Sequence, residues 1–268
     1  MDIGEFFGFG GYKRPVEGFL SWQHLVFVSV LTVIMIFCAL YLGRKYKNKD
    51  TKQKNKVLIV AAFIIDGAEL FKIIMQSIRE HDPFYFRFLL PLFICTIQLL
   101  TLPLAAFSKG KIKEASLDFV MIFGIVGSLL GTYGAGSSFG AYPVISLDNV
   151  VSGITHCVAG FSSVYIIVSG MSSMKKSNIG INFGILGCFC LLAYIANLLI
   201  GSNYMFLMRG DGTPYDILFN MLGGNPILYP LGVVGLFIVY IIGFYCIFYK
   251  VKKRIPDTHS EKSTVISK

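Results

Sequence analysis

The sequence predicts an all-α fold, a polytopic membrane bundle of seven transmembrane helices with the N-terminus outside and the C-terminus in the cytoplasm. Three observations predict it. Hydrophobic residues make up 54% of the 268-residue chain and charged residues 15%, with a mean hydropathy of +0.67, a composition too apolar to present a polar surface to water. Seven apolar stretches each approach the roughly 20 residues that cross a bilayer core as a helix. Lys and Arg gather in alternate connections between those stretches.

The stretches run over 24–43, 57–76, 86–107, 117–133, 150–170, 181–201 and 228–249, the fourth being the shortest. In lipid the backbone must satisfy its own hydrogen bonds, so spans of this length are helices. Connections 44–56, 108–116 and 171–180 and the tail from 250 hold eighteen Lys and Arg, against five in the alternate segments. The positive-inside rule then divides the chain into an extracytoplasmic segment 1–23, a transmembrane domain 24–249 and a basic cytoplasmic tail 250–268 in the cell membrane. Because the +9 net charge sits in these connections, it is a topology signal, and no nucleic-acid partner is expected. The first apolar run is too long for a signal-peptide core, so the N-terminus is expected to be retained.

All six cysteines lie inside apolar runs without disulfide or zinc spacing, so neither a disulfide framework, a metal site nor a cofactor is expected. No internal repeat supports the inverted halves of a carrier. In the fourth span, Gly127 and Gly131 are four apart and let a neighbouring helix approach closely. The outer connection 202–227 is the longest. Within it Thr213 reads as an N-cap, Pro214 as the first helical position and Gly223 as the stop of a short helix lying in the outer interface like a lid.

Polar residues inside the spans single out candidate functional groups. Asp66, Glu69, Lys72 and Gln76 fall within an arc of about 120° on the second span. Ionised groups near the bilayer centre cost on the order of 2.5–3.5 kcal/mol each, so this stripe should face the bundle, with Glu69 and Lys72 paired. A self-neutralised packing network and a functional site are both compatible with it. His156 on the fifth span shares a small, polar face with Gly153, Gly160 and Ser163. On the third span Pro91, Cys95 and Gln98 share a face, and Pro91 loosens the helix above Cys95. Counting about 1.5 Å per residue, Glu69, Cys95 and His156 lie at similar depths, roughly 10–14 Å from the outer surface. Asn197, Asn203, Tyr204 and His24 add polar groups at that end, and the inner half offers no comparable collection. Such convergence in one half of an apolar bundle marks a ligand or reaction site open to that side.

Leu90-Pro91-Leu92-Phe93-Ile94-Cys95 resembles the Leu-Pro-Leu-polar-Leu-Cys motif of the YwaF-like family of bacterial integral membrane proteins, with Phe93 in the polar position. Asn203-Tyr204-Met205-Phe206-Leu207 resembles that family's second signature, and His156 is similar in placement to its histidine; the likeness spans roughly 20–250. Eukaryotic relatives are transmembrane acyltransferases of ether phospholipid metabolism with a proposed cysteine and histidine pair. The resemblance therefore implies catalytic roles for Cys95 and His156, membrane lipids as partners, a phospholipid acyl donor and a lysolipid acceptor. Gln98 or Asn197 is then a candidate oxyanion donor. The other reading of the same residues is a small-molecule binding or transport protein whose outer cavity uses Asp66, Glu69 and Lys72, and a purely structural membrane subunit is the third.

Overall fold

The structure, a computed structural model, describes residues 3–171 and 174–254. Among the described residues it is helical without a strand. The elements are α1 (Ile3–Phe7), α2 (Trp22–Tyr46), α3 (Thr51–Arg79), α4 (Gln98–Phe107), α5 (Gly110–Thr132), α6 (Gly136–Ala141), α7 (Leu147–Ser169), α8 (Ile179–Ile200), α9 (Tyr215–Met221) and α10 (Leu228–Arg254). Side-chain caps start several of them: Ser21 accepts from the His24 N–H, Asp50 from Gln53 and Ser146 from Asn149. Gly170 and Gly201 close α7 and α8 in the left-handed conformation, at φ 69° and 66°. The expected tail begins within α10, which continues through Arg254; the rest of it, 255–268, lies outside the described residues.

Five described helices, α2, α5, α7, α8 and α10, are long and apolar enough to cross a membrane, and the chain is an integral membrane protein. Helix α3 has 29 residues but carries Asp66, Glu69 and Lys72 within its apolar stretch. Helix α5 is the hub, buried along most of its length and packed against α4, α7 and α8. Helix α7 lies along it and also receives α2 and α3. The outward faces of α2, α8 and α10 keep large apolar residues exposed, among them Phe37, Leu199 and Val239, as lipid-facing helices do.

The third apolar stretch departs from expectation. In place of a helix over 86–107, a 3-10 turn at Tyr85–Phe88 leads into irregular backbone, and only the ten residues of α4 are α-helical. Pro91 disfavours the helical region at Leu90 and has no N–H of its own to give. The Tyr204 hydroxyl accepts from the Leu90 N–H at 3.1 Å and donates to the Arg87 carbonyl at 3.2 Å. Those bonds replace helical ones, the condition on which irregular backbone persists at membrane depth.

The end of the bundle opposite the expected site is also more polar than its sequence suggested. Asp118, fully buried on α5, accepts from the Met174 N–H, from Asn178 Nδ2 at 2.7 Å and from the Tyr245 hydroxyl at 3.3 Å, while Asn182 donates to Tyr245. Periodicity within single helices did not expose this network because its members come from α5, α8, α10 and the 171–178 connection.

Candidate functional site

The irregular stretch presents Cys95 just before the first turn of α4. Thr96 knots the chain there: its Oγ1 accepts from the Phe93 N–H at 3.0 Å and donates to the Phe93 carbonyl at 3.2 Å. The Cys95 sulfur consequently lies beside the backbone N–H groups of Cys95 and Thr96.

Two glycines of α5 bring the next group into place. A Cβ at Gly127 would stand 3.3 Å from the Cys95 Cα, and one at Gly131 would stand 2.2 Å from the His156 Cε1, so the imidazole lies directly on the Gly131 backbone. Gly127 and Gly131 are one helical turn apart on one face, a rise of about 6 Å. Cys95 and His156 are thus stacked along the same stripe of α5. Both are half-buried. The face of α7 read from spacing is divided between neighbours. Gly153 meets Phe27 and Leu31 of α2, Gly160 meets Met35 and Ser128, and Ser163 donates to the Met121 carbonyl at 2.6 Å.

Helix α3 closes another side. Glu69 and Lys72 form an ion pair at 2.6 Å, with both side chains largely buried. Lys72 lies within electrostatic reach of both Cys95 and His156, and Glu69 of Cys95. Asp66 is half-buried, and its Oδ1 is sealed from solvent without a hydrogen-bond partner among the described residues. Gln98 is fully buried; its Oε1 accepts from the Thr101 hydroxyl at 3.2 Å, and its Nε2 has no partner among the described residues.

The remaining candidates make hydrogen bonds to the backbone around them. Asn197 Oδ1 accepts from the Tyr204 N–H at 2.6 Å and from Ser202 at 2.8 Å, and its Nδ2 donates to the Tyr204 carbonyl at 3.1 Å. One of its two amide donors is thus committed to the Tyr204 backbone. Asn203 folds the following loop by bonding the Arg209 carbonyl and Asp211 at 2.8 Å each and accepting from Met208 at 3.0 Å. His24, fully buried, accepts from the Leu20 N–H on Nδ1 and donates from Nε2 to the Thr132 carbonyl, joining α2 to the end of α5.

A family model, the TMEM164 family, matches residues 19–248. The chain belongs to the TMEM164 family. No curated protein and no solved structure matches it. The stretch matched to the TMEM164 family holds the Cys95 break, His156, the Glu69–Lys72 pair and α9, and leaves out α1 and Tyr12.

Two features within or beside that TMEM164 stretch were not legible beforehand. Tyr215, on α9, lies within electrostatic reach of Cys95, and its ring stacks on Phe206 at 5.3 Å. A tyrosine just past Pro214 carried no signal until the lid was folded back on the bundle. At the outer mouth, Asp148 is almost fully buried and accepts from Arg79 and Tyr12, each at 2.7 Å, and from Gln76. Burial, and after it the bond to the Asp148 carboxylate, pushes the Tyr12 phenol far above its ordinary value. Asp148 reads in sequence as a first-turn acid near a helix N-terminus, and only the tertiary fold brings it to Arg79.

Proposed function

We propose that this chain is an intramembrane lipid acyltransferase with Cys95 as nucleophile and His156 as its base. The observation that carries this reading is the glycine pair: Gly127 backs Cys95 and Gly131 backs His156 on one face of α5, a turn apart. Thiol and imidazole are both half-buried. The resemblance of Leu90–Cys95 to the YwaF-like motif, with the similar placement of His156, selects the same two residues.

In this scheme the imidazole takes the thiol proton and the thiolate attacks the carbonyl carbon of a phospholipid ester. The C–O bond breaks, the imidazolium protonates the departing lysolipid oxygen, and the acyl group remains on Cys95 as a thioester. An acceptor lysolipid hydroxyl next gives its proton to His156 and attacks that thioester; the C–S bond breaks and the thiolate recovers the proton. Gln98 Nε2, buried without a partner three residues after Cys95, is the candidate donor to the tetrahedral oxyanion. Lys72 adds positive charge near the developing anion, with Glu69 restraining it. The bundle makes seven crossings of the cell membrane, N-terminus out, with the broken stretch and α4 together forming the third. Both lipids enter sideways from the outer half.

The second reading, small-molecule binding or transport through an acidic outer cavity, is favoured by one observation, the sealed and unpartnered Oδ1 of Asp66. Kinetics separate the two. Cys95→Ala and His156→Ala should each abolish most acyl transfer in reconstituted protein, and the double variant should be scarcely worse than either. A fatty-acyl probe should label Cys95 less in His156→Ala and equally after replacement of Cys157. Full native function in both folded single variants would remove the acyl-transfer reading and leave the binding one.

A further inference from the structure

The two ends of the bundle treat their cations differently. The four arginines of segments 1–23, 77–87 and 202–227 each meet an acid: Arg14 with Glu5 at 3.1 Å, Arg79 with Asp148 at 2.7 Å, Arg87 with Asp82 at 3.1 Å and Arg209 with Asp211 at 2.6 Å. The seven Lys and Arg of connection 44–56 form no ion pair among the described residues. The single acid of that connection, Asp50, caps α3 by accepting from the Gln53 N–H at 2.7 Å. Cations left without protein partners beside a bilayer attract anionic headgroups.

Arg44 and Lys45 differ from the rest in what lies beside them. They end a stripe on α2 that begins with Phe37, Leu40 and Tyr41, at spacings of three and four residues. These five side chains line a groove of about 350 Å³ on the outer face of the helix. Phe37 and Tyr41 stack in parallel, with ring centroids 6.3 Å apart at 6°, and Lys45 Nζ lies 5.7 Å over the Tyr41 ring. Both rings are exposed. The stripe cannot roll inward, because the other side of α2 is fixed against the bundle: Ala39 is fully buried, and a Cβ at Gly43 would stand 2.7 Å from the Val168 Cβ of α7.

We propose that this groove binds an anionic phospholipid, one acyl chain lying along Phe37, Leu40 and Tyr41 and the phosphate resting against Arg44 and Lys45. An apolar wall that ends in two cations matches a lipid chain that ends in a phosphate. The Arg44 guanidinium can offer two parallel N–H bonds to phosphate oxygens, and the Lys45 ammonium adds a point charge beside them. A phosphocholine headgroup carries its own cation and gains less from the same two residues, so the site selects by net charge. The lipid belongs to the leaflet that bathes the basic end of the bundle. Helix α2 carries none of Cys95, Gln98 and His156, so this site stands or falls independently of the acyl-transfer reading.

The test is native mass spectrometry of the full-length protein released from detergent micelles and titrated with phosphatidylglycerol or phosphatidylcholine of matched chains. The wild type should hold one phosphatidylglycerol at least about tenfold more tightly than phosphatidylcholine. Arg44→Gln combined with Lys45→Gln should weaken phosphatidylglycerol by about ten- to thirtyfold and leave phosphatidylcholine nearly unchanged. Lys52→Gln combined with Lys56→Gln removes the same charge from residues that do not line the groove, and should move the affinity by no more than about twofold. Leu40→Trp fills the groove while keeping both cations, and Phe37→Ala removes its exposed wall; whichever of these keeps the wild-type melting temperature should also weaken phosphatidylglycerol. Equal losses in the two double variants, or no preference for phosphatidylglycerol in the wild type, would mean diffuse attraction to a basic surface and overturn the site. Undiminished binding in the folded groove variants would overturn it as well.

Discussion

At the scale of single residues, the site depends as much on groups that are missing as on those present. Gly131 has no Cβ, and the His156 ring occupies the place where one would stand, 2.2 Å from Cε1 and 2.3 Å from both nitrogens. At Gly127 the nearest atom is 3.3 Å away, a gap that a small shift of the Cys95 segment can widen. Gly131→Ala should therefore expel the imidazole and reduce acyl transfer to the level of His156→Ala, with a stability loss of about 1–3 kcal/mol from overpacking. Gly127→Ala should cost less in both. Thermal denaturation beside acyl-probe labelling checks this, and equal activity losses at the two glycines would contradict the geometry. These glycines were visible in the sequence as a close-packing stripe, but nothing in their spacing told which side chain would fill the space. Glu69 and Lys72 were legible in full, since a three-residue separation on a helix already brings opposite charges together, and the pair forms at 2.6 Å.

At the scale of elements, the first, fifth, sixth and seventh expected spans appear as helices within about five residues of their expected ends, while the second and fourth start earlier, as α3 from Thr51 and α5 from Gly110. Hydropathy reads how much of a segment prefers lipid; it does not read whether the backbone within is helical. Leu89–Ile97 is as apolar as its neighbours, so its irregular path was hidden, and Pro91 signalled a local loosening only. What decides the outcome is Tyr204, more than a hundred residues away, whose hydroxyl takes over the Leu90 N–H and the Arg87 carbonyl. Tyr204→Phe should leave two part-buried backbone groups short of a partner, at a combined cost of about 1–3 kcal/mol. The expected result is a lowered melting temperature together with impaired Cys95 labelling. Hydrogen exchange should rise over 87–93 in that variant and remain unchanged in α7; uniform exchange throughout the bundle would show that the hydroxyl does not hold this stretch. The lid was better signposted. Pro214 and Gly223 bracketed it in sequence, and α9 forms between them, with the Thr213 Oγ1 accepting from the Tyr215 N–H at 3.3 Å.

At the scale of the whole molecule, orientation decides which lipid leaflet can supply the reaction. One end of the bundle gathers Tyr12, Arg79, Asp148, His24 and the lid; the other gathers the basic connections and the Asp118 network. The charge asymmetry was fully legible because it is a property of connection composition, whereas the Arg79–Asp148 pair was not, because it joins the end of α3 to the start of α7 across 69 residues. That pair also ties down the N-terminal segment, since Tyr12 donates to Asp148 and the Arg14 guanidinium bonds Glu5 and the Ile145 carbonyl. The segment 3–21 is thus docked on the end that carries Asp148 and the start of α7. With eighteen Lys and Arg on the opposite side, that end should face outward. A membrane-impermeant biotinylating reagent applied to intact cells should label a tag placed before Met1 and leave Lys47, Lys49 and Lys175 unlabelled until the membrane is opened. A reporter fused after Lys268 that works only in the cytoplasm should agree with it. Labelling of Lys47 from outside would invert the bundle, and the proposed site would then draw its acyl donor and acceptor from the inner leaflet.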